Sequence, residues 1–190
     1  MESDEELLRR SREGDEEAFA LLYSRRQGSV YRFALRMSGS EALADDVTQE
    51  AFLALLNRPS GYEEERGSVL GYLFGVARNH LLRSSRQTRA SVPIDESEDE
   101  GGSRALAVPE EILARLTAQE DVETLWQGLL SLPPHYREAI VLCDLEEMDY
   151  ASAAGLLGCP VGTVRSRLNR GRRMLIDRLR RSGDAERCLA

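Results

Sequence analysis

Apolar residues recur three and four positions apart along most of this chain, and polar or glycine-marked breaks divide them into helical segments. Ser3 followed by Glu6 makes a capping-box pattern for a short polar helix that ends near Gly14. Asp15 opens the next segment, whose apolar face is Ala18, Phe19, Leu22 and Tyr23. A second segment is expected across Gln27 and Gly28, with Val30, Tyr31, Phe33, Ala34 and Met37 supplying core. Ser40 then caps a helix running toward Asn57, in which Val47, Ala51, Phe52 and Leu55 point one way. A Pro- and Gly-marked loop, 57–68, leads into a helix over 69–86 with Leu70, Leu73, Phe74, Ala77, Leu81 and Leu82 as its stripe.

Periodicity then lapses until Leu113, Leu116, Leu125, Trp126, Leu129 and Leu130, which place a helix at about 118–131. Three more helical patterns follow with short breaks. Pro133 and Pro134 open the first, where a missing N–H costs nothing, and Ala139, Ile140 and Cys143 share a face. Asp149 is a candidate N-cap for the second, with Tyr150, Ala153, Ala154 and Leu157 expected to be buried before Gly158 stops it. Pro160 restarts the chain, and Val161, Val164, Leu168 and Leu175 form the stripe of the third. The pattern is a helix-turn-helix.

Charge sharpens this picture. The other face of the last helix carries Thr163, Arg165, Ser166, Arg167, Asn169, Arg170, Arg172 and Arg173, and 160–181 holds eight Arg against one acid, a net of +7. Such a face suits the major groove, where arginine forks reach guanine edges or phosphates. A second basic surface lies between Arg66 and Arg89, with five Arg and no acid, and exposes Tyr72, Arg78, Asn79, His80, Arg83 and Arg86. Flat and amide side chains among cations suit single-stranded or distorted DNA. On the 40–57 helix, Asp45, Asp46, Gln49, Glu50 and Leu53 form a ridge with no basic residue, a docking face for a basic partner. Between 95 and 123 there are ten acids and two Arg, a net of −8, which marks a linker.

Composition bounds the class. With 190 residues, 42% hydrophobic and 31% charged, few aromatics and many Ala, Leu, Arg and Glu, the chain is expected to be all-α: two small helical domains joined by an acidic flexible linker. The expected boundaries are 1–90, 91–117 and 118–190. The net charge of −8 would argue against nucleic acid were it not so unevenly distributed. Three cysteines, Cys143, Cys159 and Cys188, have no C-x-x-C spacing, which fits a reducing compartment. No signal segment is present and no apolar run approaches the ~20 residues that span a bilayer, so a cytoplasmic protein without membrane insertion is expected. His80 and His135 are the only histidines, and no ligand spacing, phosphate loop or nucleophile elbow accompanies them. Neither an enzyme nor a cofactor is expected.

These residues carry a resemblance. Ala44 to Leu56 (ADDVTQEAFLALL), Ala77 to Leu82 (ARNHLL), SLPPHYREAIVL and GCPVGTVRSRLNRGRRML, in this order and separation, resemble the extracytoplasmic-function (ECF) class of the sigma-70 family of bacterial RNA polymerase sigma factors. The resemblance implies that Asp45, Asp46, Gln49, Glu50 and Leu53 dock on core RNA polymerase. It implies that the 57–68 loop and the 69–86 helix read and open the minus-10 element of promoter DNA through Tyr72, Arg78, Asn79, Arg83 and Arg86. The last helix would read the minus-35 element through Thr163, Arg165, Ser166, Arg167, Asn169 and Arg170, and an anti-sigma factor is an expected partner. Arg165, Arg167 and Arg170 are expected at bases or adjacent phosphates, Thr163 and Ser166 at the backbone, and Arg172 and Arg173 at phosphates or nothing. Tyr72 stands where the family usually has Trp, Arg83 where it has Asp or Asn, and Ser152 where Glu is common, which weakens the second helix's capping box. A free-standing helix-turn-helix regulator is the alternative.

Overall fold

The computed structural model describes residues 2–57, 61–88 and 119–189, and every regular element among them is helical. The chain divides into two compact units, Met1–Asp95 and Glu96–Ala190. The expected linker over 91–117 lies outside the described residues.

In the first unit, α1 (Asp4–Arg12) starts at Ser3, whose hydroxyl accepts from the Glu6 N–H at 3.1 Å. Its acids cluster in the first turn and its arginines in the last, which complements the helix dipole. Leu7 and Leu8 are buried beneath it. Asp15 caps α2 (Glu16–Ser38) by accepting from the Ala18 N–H at 3.0 Å. Contrary to the expected two segments, α2 runs unbroken through Gln27 and Gly28. A glycine inside a helix costs about 1 kcal/mol, but Ala18, Leu22, Val30, Phe33 and Ala34 are all buried along α2, and burial of one such side chain is worth about 1.5–3 kcal/mol. Packing therefore overrides the local break.

Ser40 caps α3 (Glu41–Asn57), its hydroxyl accepting from the Leu43 N–H at 3.3 Å, and Val47, Ala51, Phe52 and Leu55 are buried as expected. A single 3-10 turn, Glu64–Arg66, precedes α4 (Val69–Thr88). In α4 the stripe is shorter than expected. Leu73, Phe74 and Ala77 are fully buried, Leu70, Leu81 and Leu82 only half-buried, and Val69 joins the core at the helix start. Phe33 and Phe74 pack at 4.9 Å between centroids and Tyr23 and Phe52 at 4.7 Å, so the aromatic centre of the unit is shared by α2, α3 and α4.

The second unit begins with α5 (Gln119–Leu130), followed by α6 (Pro134–Ile140), which opens on proline as expected. Arg137 joins the two: its Nη2 donates to the carbonyls of Leu130 and Leu132, satisfying groups that the end of α5 leaves without helical partners. A π turn, Val141–Leu145, extends α6, and its Val141 and Leu142 are buried. Then come α7 (Tyr150–Leu157) and α8 (Val161–Leu189). Asp149 caps α7 through Oδ1, which accepts from the N–H groups of Ala151 and Ser152 at 2.9 Å each. Ser152, which stands where a Glu would complete the capping box, instead donates its hydroxyl to Asp149 Oδ2 at 2.6 Å. These bonds hold the Asp149 carboxyl below its ordinary range. Gly158 ends α7 at a φ of +66°, a backbone region that side chains with a Cβ disfavour.

Two expectations about burial change here. Tyr150 is 38% exposed rather than buried, whereas Ala153, Ala154 and Leu157 are buried. On α8 the inner stripe is Val164, Leu168, Gly171 and Ile176, with Val161 and Leu175 half-buried. Gly171 is there because α6 comes close: a Cβ at this position would stand 2.9 Å from Ile140 Cδ1 and 3.3 Å from Tyr136 Cβ. Gly171→Ala is accordingly expected to destabilise the second unit by about 1–2 kcal/mol through overpacking, despite the better helix propensity of alanine. Urea unfolding followed by the fluorescence of the single Trp, Trp126 on α5, measures this; a midpoint at or above that of the parent would show that Ile140 moves aside freely.

Candidate nucleic-acid and polymerase interfaces

The helix-turn-helix of the second unit is α7, the Gly158 to Pro160 turn and the start of α8. The turn is fixed by the Pro160 carbonyl, which accepts from the N–H groups of Thr163 at 2.9 Å and Val164 at 3.2 Å. With Val164 and Leu168 inward, the opposite side presents the six residues expected to meet the minus-35 element, though not as one cluster. Residues two apart on a helix differ by about 200°, so Arg165 and Arg167 lie on nearly opposite flanks. Ser166, Asn169 and Arg170 lie between these flanks, and Arg165 is exposed.

Each flank has its own contacts. The Arg165 guanidinium lies 5.7 Å from the ring centroid of Tyr150, within cation–π range. Arg167 is half-buried, with Nη1 3.9 Å from Cys159 Sγ. Ser166 donates its hydroxyl to the Thr163 carbonyl at 3.0 Å, so it is tied to its own helix. Arg172, expected at phosphates or nothing, already has a partner within the chain. It forks onto Asp144 of the π turn, Nε to Oδ2 at 2.9 Å and Nη2 to Oδ1 at 2.5 Å, and this bond raises its already high pKa further. The bulk of the fold reaches this pair too: burial pushes the adjacent Cys143 thiol up to about 11, with the Asp144 charge adding to the effect. The side chain of Cys188 lies outside the described residues.

On α4, Tyr72, Asn79 and Arg83 fall on one face at spacings of seven and four, whereas Arg78 is about a quarter-turn away from Asn79 and half-buried. Asn79 and Arg83 are exposed, and the side chain of Arg86 lies outside the described residues. Tyr72 is half-buried, its ring edge-on to Tyr62 at 5.8 Å. Ser68 caps α4 by accepting from the Gly71 N–H at 3.1 Å, and Glu5 of α1 accepts from the Val69 N–H at 3.4 Å.

Sequence reasoning missed Tyr62. It is 8% exposed, Arg12 of α1 sits 5.9 Å from its ring centroid, and its hydroxyl has no hydrogen-bond partner among the described residues. Burial and the nearby Glu5 and Glu64 push its ionisation up to about 12. The one signal available was that Tyr62 is the sole aromatic residue of the 57–68 loop. Nothing in the spacing announced that α1 would be tied to this loop.

On α3 the expected ridge is present. Asp45, Asp46, Gln49, Glu50 and Leu53 are all exposed, and Asp46, Gln49, Glu50 and Leu53 follow the three-and-four spacing of one helix face. Leu53 is 40% exposed, an apolar point among acceptors. The negative field reaches α2, where burial together with Asp45 and Glu41 raises the Tyr31 phenol above its ordinary value. Among the described residues no group of three or more His, Cys, Asp or Glu could hold a metal ion, and no helix is long and apolar enough to cross a membrane.

Comparison with known proteins agrees with this geometry. The family model for Sigma-70 region 2 matches residues 22–91, and that for Sigma-70, region 4 matches 123–175. The chain is 30% identical to the ECF RNA polymerase sigma-E factor of Escherichia coli, over 90% of this chain and 91% of that protein. It is 35% identical to the ECF RNA polymerase sigma factor SigE of Mycolicibacterium smegmatis over 79% of this chain, and spans 57% of that longer relative. A solved structure of CnrH in complex with the cytosolic domain of CnrY superposes with a TM-score of 0.66 at 25% identity, covering 92% of this chain and 95% of that one. With two helical units, the second a helix-turn-helix, and this similarity along most of its length, the chain belongs to the ECF class of the sigma-70 family, the RNA polymerase sigma factors that direct transcription to promoters.

Proposed function

We propose that this sigma factor docks on core RNA polymerase through Asp45, Asp46, Gln49, Glu50 and Leu53 of α3, opens the minus-10 element with α4 and the loop before it, and reads the minus-35 element with α8. It works by recruitment and strand capture, with no covalent chemistry of its own, in the cytoplasm where polymerase and promoter meet. Within this scheme 1–90 is the polymerase and minus-10 domain, 91–117 the linker and 118–190 the minus-35 domain. Tyr72, Asn79 and Arg83 form the strand-facing side of α4, with Arg78 and Arg86 on its phosphate margin. An anti-sigma factor is the expected regulator; CnrH, a structural relative, is solved with a bound protein partner, the cytosolic domain of CnrY.

The observation that carries this reading is that one chain presents both an exposed acidic ridge on α3 and an arginine-rich helix at the end of a helix-turn-helix. An isolated operator-binding regulator has no use for the ridge. The test is transcription from a genomic template by core polymerase with and without the protein, mapping transcript 5′ ends. Initiation at a shared pair of upstream elements only when the protein is present is the expected result. Tight, specific duplex binding without polymerase, and no change in transcript starts, would instead identify a free-standing regulator.

Within α8 two arginines should behave differently. Arg167→Ala is expected to cost about 1–2 kcal/mol of promoter affinity and to relax preference at one minus-35 position. Arg172→Ala should mainly weaken all sequences, with at most a partial relaxation at the position that Arg165 meets, because it leaves Asp144 without its fork and loosens α8. Holoenzyme binding to a randomised minus-35 library separates the two; equal, uniform losses would remove Arg167 from the base-reading set.

A further inference from the structure

Tyr150 is the first residue of α7, and its exposure contradicts the apolar periodicity that assigns it to the core. The residues on either side of it are tied together, Asp149 accepting from the N–H groups of Ala151 and Ser152 and from the Ser152 hydroxyl, so the ring leaves the helix N-terminus from a fixed base. Two arginines of α8 bear on Tyr150. Arg165 lies 5.7 Å from its centroid. Arg172, seven residues further and hence nearly two turns along the same side, grips Asp144 with both ends of its fork. The Tyr150 hydroxyl lies near the same guanidinium and helps to raise its pKa, behind Asp144 in effect. Asp144, Arg172, Tyr150 and Arg165 thus form a row that crosses the π turn, α7 and α8.

We propose that Tyr150 is a positioning residue for minus-35 readout, holding Arg165 ready for DNA while the Asp144–Arg172 pair braces the ring; this deepens, and rests on, the assignment of α8 as the DNA-reading helix. The physical reason is preorganisation. A long arginine side chain loses rotamer freedom when it engages DNA, and one already resting on an aromatic face has lost part of that freedom beforehand. Asp144 also offsets the charge of Arg172, so the two arginines on this flank do not repel each other into alternative rotamers. The expected ligand is a duplex presenting a guanine edge to Arg165.

The test uses holoenzyme reconstituted with the parent chain, Tyr150→Leu, Tyr150→Phe, Asp144→Asn, Arg165→Ala and the Tyr150→Leu/Arg165→Ala double variant, each bound to duplexes randomised across the minus-35 region. Arg165→Ala should relax preference at one position. Tyr150→Leu should relax the same position and lower affinity for the preferred sequence about two- to fivefold, the range for an exposed cation–π contact. Tyr150→Phe keeps the ring face under Arg165 but lacks the hydroxyl near Arg172, so it and Asp144→Asn should each give an intermediate relaxation at that position, smaller than that of Tyr150→Leu, and the double variant should be no worse than Arg165→Ala alone. A uniform loss across the library for Tyr150→Leu, or additive losses in the double variant, would show that Tyr150 only packs. Should Tyr150→Leu misfold by its Trp126 melting curve, Asp144→Asn decides: unchanged preference there overturns the proposal. If Arg165→Ala leaves preference intact while Arg170→Ala alters it, the proposal fails and α8 remains the reader. If no arginine variant of α8 alters preference, the assignment of α8 itself is wrong.

Discussion

Replacing Asp46 and Glu50 with arginine is expected to lower the affinity of the protein for core RNA polymerase by about 100-fold while leaving its helical content unchanged. Both side chains are exposed on α3, and the residues that hold that helix in place, Val47, Ala51, Phe52 and Leu55, are buried on its other side. The double reversal therefore spares the packing. It replaces two acceptors with two cations on a face that carries no basic residue of its own, and like charges brought together across an interface cost several kcal/mol. Leu53 adds an apolar anchor on the same stripe, so Leu53→Ala should give a smaller loss that is insensitive to salt, in contrast to the strongly salt-dependent loss from reversal. Fluorescence anisotropy with core polymerase at two ionic strengths, alongside circular dichroism, measures both. Normal association of the reversed variant would move the polymerase contact to another face.

Asp4→Ala is expected to destabilise the first unit by about 2 kcal/mol, which for a unit of this size lowers its melting temperature by roughly 8–15 °C. Asp4 is 6% exposed and accepts from Arg25 Nη1 at 2.7 Å and from Arg26 Nε. Removing one partner of a fully buried pair costs about 3–5 kcal/mol, but the Arg25 and Arg26 side chains are 22% and 32% exposed, so water takes up part of their charge once the carboxylate is gone. The same change loosens α1, whose Glu5 and Arg12 touch the start of α4 and Tyr62. Trp126 lies in the second unit, which makes the measurement selective. The transition by circular dichroism should gain an early phase while the Trp126 fluorescence transition stays in place. Unshifted transitions by both probes would show that the buried carboxylate and its arginines contribute nothing net.

Features that depend on a few neighbouring residues were legible in the sequence. Ser3, Asp15, Ser40 and Asp149 cap the helices they were expected to cap, because a side-chain oxygen before an apolar repeat can satisfy the first free N–H groups wherever the helix later packs. The turn at Gly158 and Pro160 and the ridge of Asp46, Gln49, Glu50 and Leu53 follow from the same local rules, and so does the opposition of that ridge to the buried face of α3.

Other features required the neighbours that only folding supplies. Whether Gly28 would interrupt α2 depended on how much of the flanking surface the rest of the unit could bury, and Ile176 entered the core in place of Leu175 for the same reason. Periodicity names a face, but it does not say how far along that face the partner helices reach. The ion pairs of Asp4 with Arg25 and Arg26, and of Asp144 with Arg172, join residues 21, 22 and 28 positions apart, a range over which charge pattern alone selects no partner. Tyr150 shows the division most clearly: the sequence determined that it would begin a helix after an aspartate cap, while the packing of α8 beside it decided that its ring would stay at the surface under Arg165.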